Sequence, residues 1–99
     1  MPVAIGVIGC GAIAQISHIP TLLNHDDRFR LIALSDMNRE LLDDVADHFR
    51  IQARYTDYGE LLDRSDVEAV VICHSGSHRD TVLAALDRGK DVFLSLIHI

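Results

Sequence analysis

The chain has 99 residues, of which 48% are hydrophobic and 24% charged, and a formal net charge of −6. That length suits one small domain burying roughly 60 to 70% of its unfolded surface, and the composition excludes both a disordered chain and, with no apolar run near roughly 18 residues, a membrane span. Lys90 is the single lysine, which excludes the clustered basic surface that a nucleic-acid partner needs.

The chain runs from Met1-Pro2 directly into an apolar pattern, with no basic leader and no small-residue cleavage site, which points to the cytoplasm. Val3 to Ile8 is a nearly continuous apolar run ending at Gly9, the pattern of a strand buried on both faces of a parallel sheet. From Ala12 to Leu23 the residues Ile13, Ile16, Ile19 and Leu23 recur at helical spacing, and Pro20 must bend that helix or start a second turn. Phe29 to Leu34 reads as a second strand ending at Ser35-Asp36. Asn38 then caps a helix whose apolar face is Leu41, Leu42, Val45, Ala46 and Phe49.

A short third strand is expected over Gln52 to Tyr55, a small helix from Tyr58 to Asp63, and a strongly apolar fourth strand from Ala69 to Cys73. Ser77 and Asp80 have the spacing of a capping box, Val82, Leu83 and Leu86 continue that helix, and Gly89 ends it before a fifth strand at Val92 to Leu94. Strict alternation of strand and helix predicts an α/β domain with a doubly wound parallel sheet and right-handed crossovers, the Rossmann arrangement, with five strands in this chain. The fifth strand is expected to be an apolar edge that leaves the isolated chain poorly stable.

The most informative segment is Gly9-Cys10-Gly11-Ala12-Ile13-Ala14, which fits Gly-x-Gly-x-x-Ala between a strand and a helix. Gly9 allows the tight turn out of the strand, Gly11 lets a pyrophosphate approach the backbone, and Ala14 keeps the helix close to the sheet. The N–H groups near Ala12 and Ile13, at the positive end of the helix, would bind the pyrophosphate. Asp36 follows at the distance where an acid accepts the adenosine ribose hydroxyls. A carboxylate there disfavours a 2′-phosphate, because two like charges about 4 Å apart at an effective dielectric near 20 repel by about 4 kcal/mol. NAD is therefore expected ahead of NADP. Arg39 could reach a 2′-phosphate or stack on adenine, or it could be a solvated first-turn residue. A glycine loop with an acid after strand two also occurs in S-adenosylmethionine sites, but the spacing to Ala14 favours a pyrophosphate ligand.

Cys10 and Cys73 form no Cys-x-x-Cys pair and are expected to be small buried residues at strand ends. His74 and His78 lack an acid or cysteine partner and make an incomplete metal site, so no metal is assigned. The Ser77-His78 pair has no Gly-x-Ser-x-Gly elbow that would suggest a hydrolase.

Four segments together resemble the Gfo/Idh/MocA oxidoreductases: Ile8 to Ala14, Leu34 to Asn38, Val70 to His78, and Ala84-Ala85-Leu86 followed by Gly89-Lys90. The resemblance covers Val3 to about Leu94. It implies a nicotinamide-dependent enzyme that moves a hydride between NAD(P) and a sugar, polyol or related small alcohol or carbonyl metabolite. It also implies that Cys73, His74 and Ser75 border the nicotinamide, with His78 nearby, and that the intact protein is a homo-oligomer with a separate substrate domain. The loop Cys73-His74-Ser75-Gly76-Ser77-His78 departs from the family's usual Thr-Pro-Asn.

After the fifth strand the family continues Glu-Lys-Pro, whereas this chain reads Ser95-Leu96-Ile97-His98-Ile99. Residues 1–94 are accordingly expected to form the dinucleotide-binding domain and 95–99 a non-native tail resembling translated sequencing adaptor. No catalytic residue is assigned within this chain, which is expected to bind cofactor only. The alternative to an enzyme is a non-catalytic dinucleotide-binding sensor or structural module.

Overall fold

The computed structural model describes residues 2–11, 14–73 and 79–94. Five strands, β1 (Val3–Ile8), β2 (Phe29–Ser35), β3 (Arg54–Tyr55), β4 (Ala69–Ile72) and β5 (Asp91–Leu94), form one parallel sheet in the order β3-β2-β1-β4-β5. The expected α/β architecture, doubly wound from a central first strand, is the observed one. The third strand is shorter than expected, with only Arg54 and Tyr55 paired to Leu34 and Ser35.

Both faces of the sheet are covered. Helices α1 (Ile19–Asn24) and α2 (Arg39–Phe49) pack on one, over Ile5, Val7, Leu31, Leu34 and Val71. Helices α3 (Tyr58–Leu62) and α4 (Arg79–Asp87) pack on the other, over Ile8, Ala33, Val70 and Ile72. The strands therefore alternate between two cores rather than between core and water, which is why β1 and β4 read as apolar runs. Each fully buried Ile or Leu in these cores contributes about 1.5–3 kcal/mol.

Local sequence explains most helix boundaries. The Asn38 side chain accepts from the Leu41 amide at 3.1 Å and starts α2. Gly89 takes a φ of 72° after α4, and the Lys90 amide returns to the Ala85 carbonyl at 3.0 Å, closing the last turn. At the end of α2 the same left-handed position, φ 61°, is held by Arg50.

Two helical faces differ from expectation. The first helix begins as a wide π turn over Ala14–His18 before α1, with Pro20 in the first turn of α1. Pro20 has no N–H for the carbonyl four residues back, and its ring crowds that carbonyl, so the turn upstream opens. The extra residue rotates the helix, and Leu22 rather than Leu23 joins Ile19 in the core. In α4, Thr81 and Ala85 face the sheet while Leu83 and Leu86 are exposed, because the small pair lets the helix lie closer. Those leucines, with Phe93 and Leu94 on edge strand β5, are exposed large apolar residues.

One irregularity positions the upper end of the sheet. Between Ile5 and Gly6 the pairing of β1 with β2 jumps by one residue, from Leu31 to Ala33, leaving Ile32 as a bulge. As a result Ile8 lies level with Ser35 on one side and Ile72 on the other. Residues 9, 36 and 73 thus leave the sheet side by side. The close approach of α3 at Gly6 completes this region: a Cβ there would lie 2.7 Å from Leu61 Cδ2, and Leu61 is fully buried. Gly6→Ala is expected to lose about 1–3 kcal/mol in urea unfolding through overpacking; a loss below half a kcal/mol would show that Leu61 has room to move.

Candidate functional site

The site sits where the strand order reverses, between β1 with β2 on one side and β4 on the other, at the carboxyl ends of the strands. Gly9 has a φ of 99°, a conformation that side chains rarely adopt, and its amide donates to the Ser35 carbonyl at 2.7 Å. The chain thereby turns sharply out of β1 while remaining tied to β2. The next amide, Cys10 N–H, donates to Asp36 Oδ2 at 2.8 Å, and the Asn38 amide donates to Asp36 Oδ1 at 2.8 Å. Each carboxylate oxygen of Asp36 holds one backbone donor and keeps a lone pair for a ligand.

Gly11 is exposed, has no positive φ, and a Cβ built on it meets nothing within 4 Å among the described residues. Ala14 is fully buried and packs into the same core as Cys10 and Ile19, the close helix–sheet contact expected of a small residue. Gln15, which sequence reasoning missed, locks the turn from the helix side. Its Nε2 donates to the Cys10 carbonyl at 2.8 Å and its amide to the Gly11 carbonyl at 3.1 Å. Nothing in the local pattern marks a glutamine there as a brace; only the folded turn brings it to Cys10.

Arg39 opens α2, and its Nε lies 3.1 Å from Asp43 Oδ2, one helical turn further on. It is directed along its own helix, and the carboxyl of Asp43 is held below its ordinary range chiefly by Arg54 and then by Arg39. Cys73 follows β4 beside the turn, half-buried and packed on the same core as Cys10. Ala12, Ile13, His74, Ser75 and His78 lie outside the described residues, as does the Ser77 half of the expected capping box. The structure thus brings together Gly9, Cys10, Gly11, Ala14, Asp36 and Cys73, and leaves Arg39 on the outer face of α2.

This arrangement suits a dinucleotide: a glycine turn open to a bulky diphosphate, and a two-oxygen acceptor beside it at the end of the neighbouring strand. The chain matches the Gfo/Idh/MocA model, an oxidoreductase family with an NAD-binding Rossmann fold, over residues 3–95. The chain belongs to that family. It is 41% identical over 95 residues to inositol 2-dehydrogenase/D-chiro-inositol 3-dehydrogenase of Shouchella clausii, covering 94% of this chain and 27% of that protein. It is 38% identical over 95 residues to inositol 2-dehydrogenase of Burkholderia multivorans, again 94% of this chain and 28% of the relative. The crystal structure of myo-inositol dehydrogenase from Lactobacillus casei in complex with NAD(H) and myo-inositol superposes with a TM-score of 0.86 at 35% identity, covering 95% of this chain and 28% of that one. The chain thus spans a little over a quarter of the length of the relatives it matches.

Within this Gfo/Idh/MocA domain the two cysteines are protected thiols. Burial above all, then the negative charges of Asp36 and Cys73, push Cys10 up to about 12, and burial pushes Cys73 up to about 11. Cys10 Sγ donates to the Ser35 carbonyl at 3.6 Å, which only the protonated form can do. Because the folded values lie above the ordinary 9.0, the unfolded chain releases its thiol protons first. Their contribution to stability is therefore complete below about pH 9 and is lost as pH climbs toward 11 and 12. Thermal melts from pH 7 to 11 should show the Cys10→Ala/Cys73→Ala protein losing less Tm above pH 9 than the parent, and parallel curves would contradict this.

Gly11 supplies a cleaner test. Since nothing among the described residues occupies the space of its missing side chain, Gly11→Val should unfold within about 0.5 kcal/mol of the parent. Its affinity for NAD, read by calorimetric titration, should fall at least tenfold as the branched side chain meets the diphosphate.

Proposed function

We propose that this chain is the cofactor-binding part of an enzyme that transfers a hydride between NAD and a secondary alcohol or carbonyl of a sugar, polyol or related small metabolite. The observation that carries the reading is the Asp36 carboxylate, placed at the end of β2 and held 2.8 Å from the Cys10 amide of the glycine turn. Its remaining lone pairs face the region where the two adjacent hydroxyls of an adenosine ribose would lie beside a diphosphate on Gly11. The amides of Gly9 and Cys10 are already engaged by Ser35 and Asp36, so the diphosphate is met by N–H groups from Gly11 onward, including those of Ala12 and Ile13. Gly9 and Ala14 shape the turn, and Cys73, His74, Ser75 and His78 border the nicotinamide.

Bound nicotinamide supplies the hydride-accepting carbon. The chain's own contribution is to bind and orient that cofactor and to close one wall with the apolar ends of β1 and β4. Acid–base groups for the substrate come from the remaining part of the intact protein. The relatives named above support an inositol-like polyol as the substrate class. We further propose a cytoplasmic homo-oligomer. No helix among the described residues is long and apolar enough to cross a membrane, and the exposed Leu83, Leu86, Phe93 and Leu94 support burial against further polypeptide. Arg39, engaged with Asp43, would have to leave that pair to contact the adenine side of the cofactor.

NAD is favoured over NADP because a 2′-phosphate would replace a hydroxyl donor by a second negative charge at Asp36. Asp36→Asn turns one acceptor into a donor. It should weaken NAD binding at least tenfold, about 1.4 kcal/mol, and narrow the preference over NADP. An unchanged NAD/NADP ratio in fluorescence titrations of the variant would refute the role given to Asp36. On the intact enzyme, NADH formation across a polyol panel separates a dehydrogenase from a sensor that binds NAD without turnover, and tight binding of S-adenosylmethionine in place of NAD would overturn both.

A further inference from the structure

The opposite end of the sheet carries a second concavity, of about 500 Å³, bounded by the amino ends of β1 and β2, the segment entering β3, and the loop after α3. Its volume falls in the range of small-molecule sites. Arg30, Arg50 and Arg64 line it, together with Gln52, Ile51 and a single carboxylate, Asp66. Arg64 holds that carboxylate in a two-point contact, Nε to Oδ1 at 2.8 Å and Nη2 to Oδ2 at 2.6 Å. Glu68 lies near the same end of the sheet but outside the lining, and it accepts the Ala4 amide at 2.9 Å. The lining therefore carries two arginines in excess, in a chain whose net charge is −6.

Five of the nine basic residues are committed within the chain. Arg39, Arg54, Arg64 and Arg88 are paired with Asp43, Asp47, Asp66 and Asp63, and the Lys90 ammonium is buried on the carbonyls of Arg64 and Val67 at 2.7 and 2.6 Å. Arg30 and Arg50, like Arg28 and Arg79, have no ion pair among the described residues, and they are the two of these four that line the concavity. A second, independent observation concerns Arg50. It occupies a left-handed backbone position, φ 61°, at the helix end where glycine is favoured, so an arginine here carries backbone strain that glycine would not.

Both walls are also held in place. Arg54 Nη2 donates to the Ile51 carbonyl at 2.8 Å and anchors the Arg50 side. Lys90, from behind, pins the loop that carries Arg64. These bonds tie the backbone around the concavity, while the exposed Arg30 and Arg50 side chains are ordered by the ligand.

We propose that this concavity is a second ligand site, taking a small oxyanion with two or more negative charges between the guanidinium groups of Arg30 and Arg50, with Arg64 and Gln52 as further donors. Guanidinium forks match the paired oxygens of phosphate and carboxylate alike. The site is about 20 Å from Asp36, six residues along β2, so it is separate from the glycine turn and does not overlap with bound dinucleotide. Nothing in this proposal depends on the reading of the glycine turn.

Calorimetric titration of the full chain at low ionic strength, with inorganic pyrophosphate and separately with citrate, tests it in the presence of saturating NAD. One anion is expected to bind per chain. The tighter of the two identifies the source as a phosphate or a carboxylate compound. Arg30→Gln/Arg50→Gly should lower that affinity at least tenfold and leave the affinity for NAD unchanged. Arg50→Gly alone should bind the anion several-fold more weakly while melting at a higher temperature, because the strain is removed with the charge. Failure of both anions to bind, displacement of the anion by NAD, or unchanged affinity in the double variant would each overturn the proposal.

Discussion

The Asp36 carboxylate is the junction on which the upper end of the domain depends. It accepts the Cys10 amide from the glycine turn and the Asn38 amide from the start of α2, so one side chain joins the exits of β1 and β2. Charge-assisted bonds of this kind are stronger than neutral ones, and two of them hold the carboxylate. In the function proposed above the same group would brace the turn and accept the ribose hydroxyls, so binding would require little rearrangement of it.

That junction exists only because the sheet brings its members level. The bulge at Ile32 advances β2 by one residue against β1, and the pairing of Ile8 with both Ser35 and Ile72 follows from it. Parallel strands buried on both faces tolerate little slippage, since the alternating side chains belong to two different cores. The geometry at the strand ends is therefore set by packing some distance below it, at Gly6 against Leu61 and in the Leu31–Leu34 segment.

Charge is distributed in the same economical way. Most cations are committed to local carboxylates or to carbonyls: Arg54 closes the end of α2, Arg88 reaches across to Asp63, and Lys90 spends its ammonium inside the protein. A buried lysine on two carbonyls is tolerable because each lost water is replaced by a strong acceptor. In the family resemblance the Gly89-Lys90 pair looked like a motif of the helix end; in the structure Lys90 is a pin for the loop before β4.

Strand and helix alternation, the glycine turn, the acid after β2 and the cap at Asn38 were all legible in the sequence, because each depends on residues close together along the chain. Burial on two faces makes a strand an apolar run, and a turn with positive φ asks for glycine, whatever lies elsewhere. Other features were not legible: the bulge at Ile32, the brace from Gln15, the inward face of α4 at Thr81 and Ala85 instead of Leu83 and Leu86, and the placing of Arg30 and Arg50 around one concavity. These depend on register and on distances between segments far apart in sequence. Only the closing of the sheet, with its hydrogen bonds and packed cores, determines them.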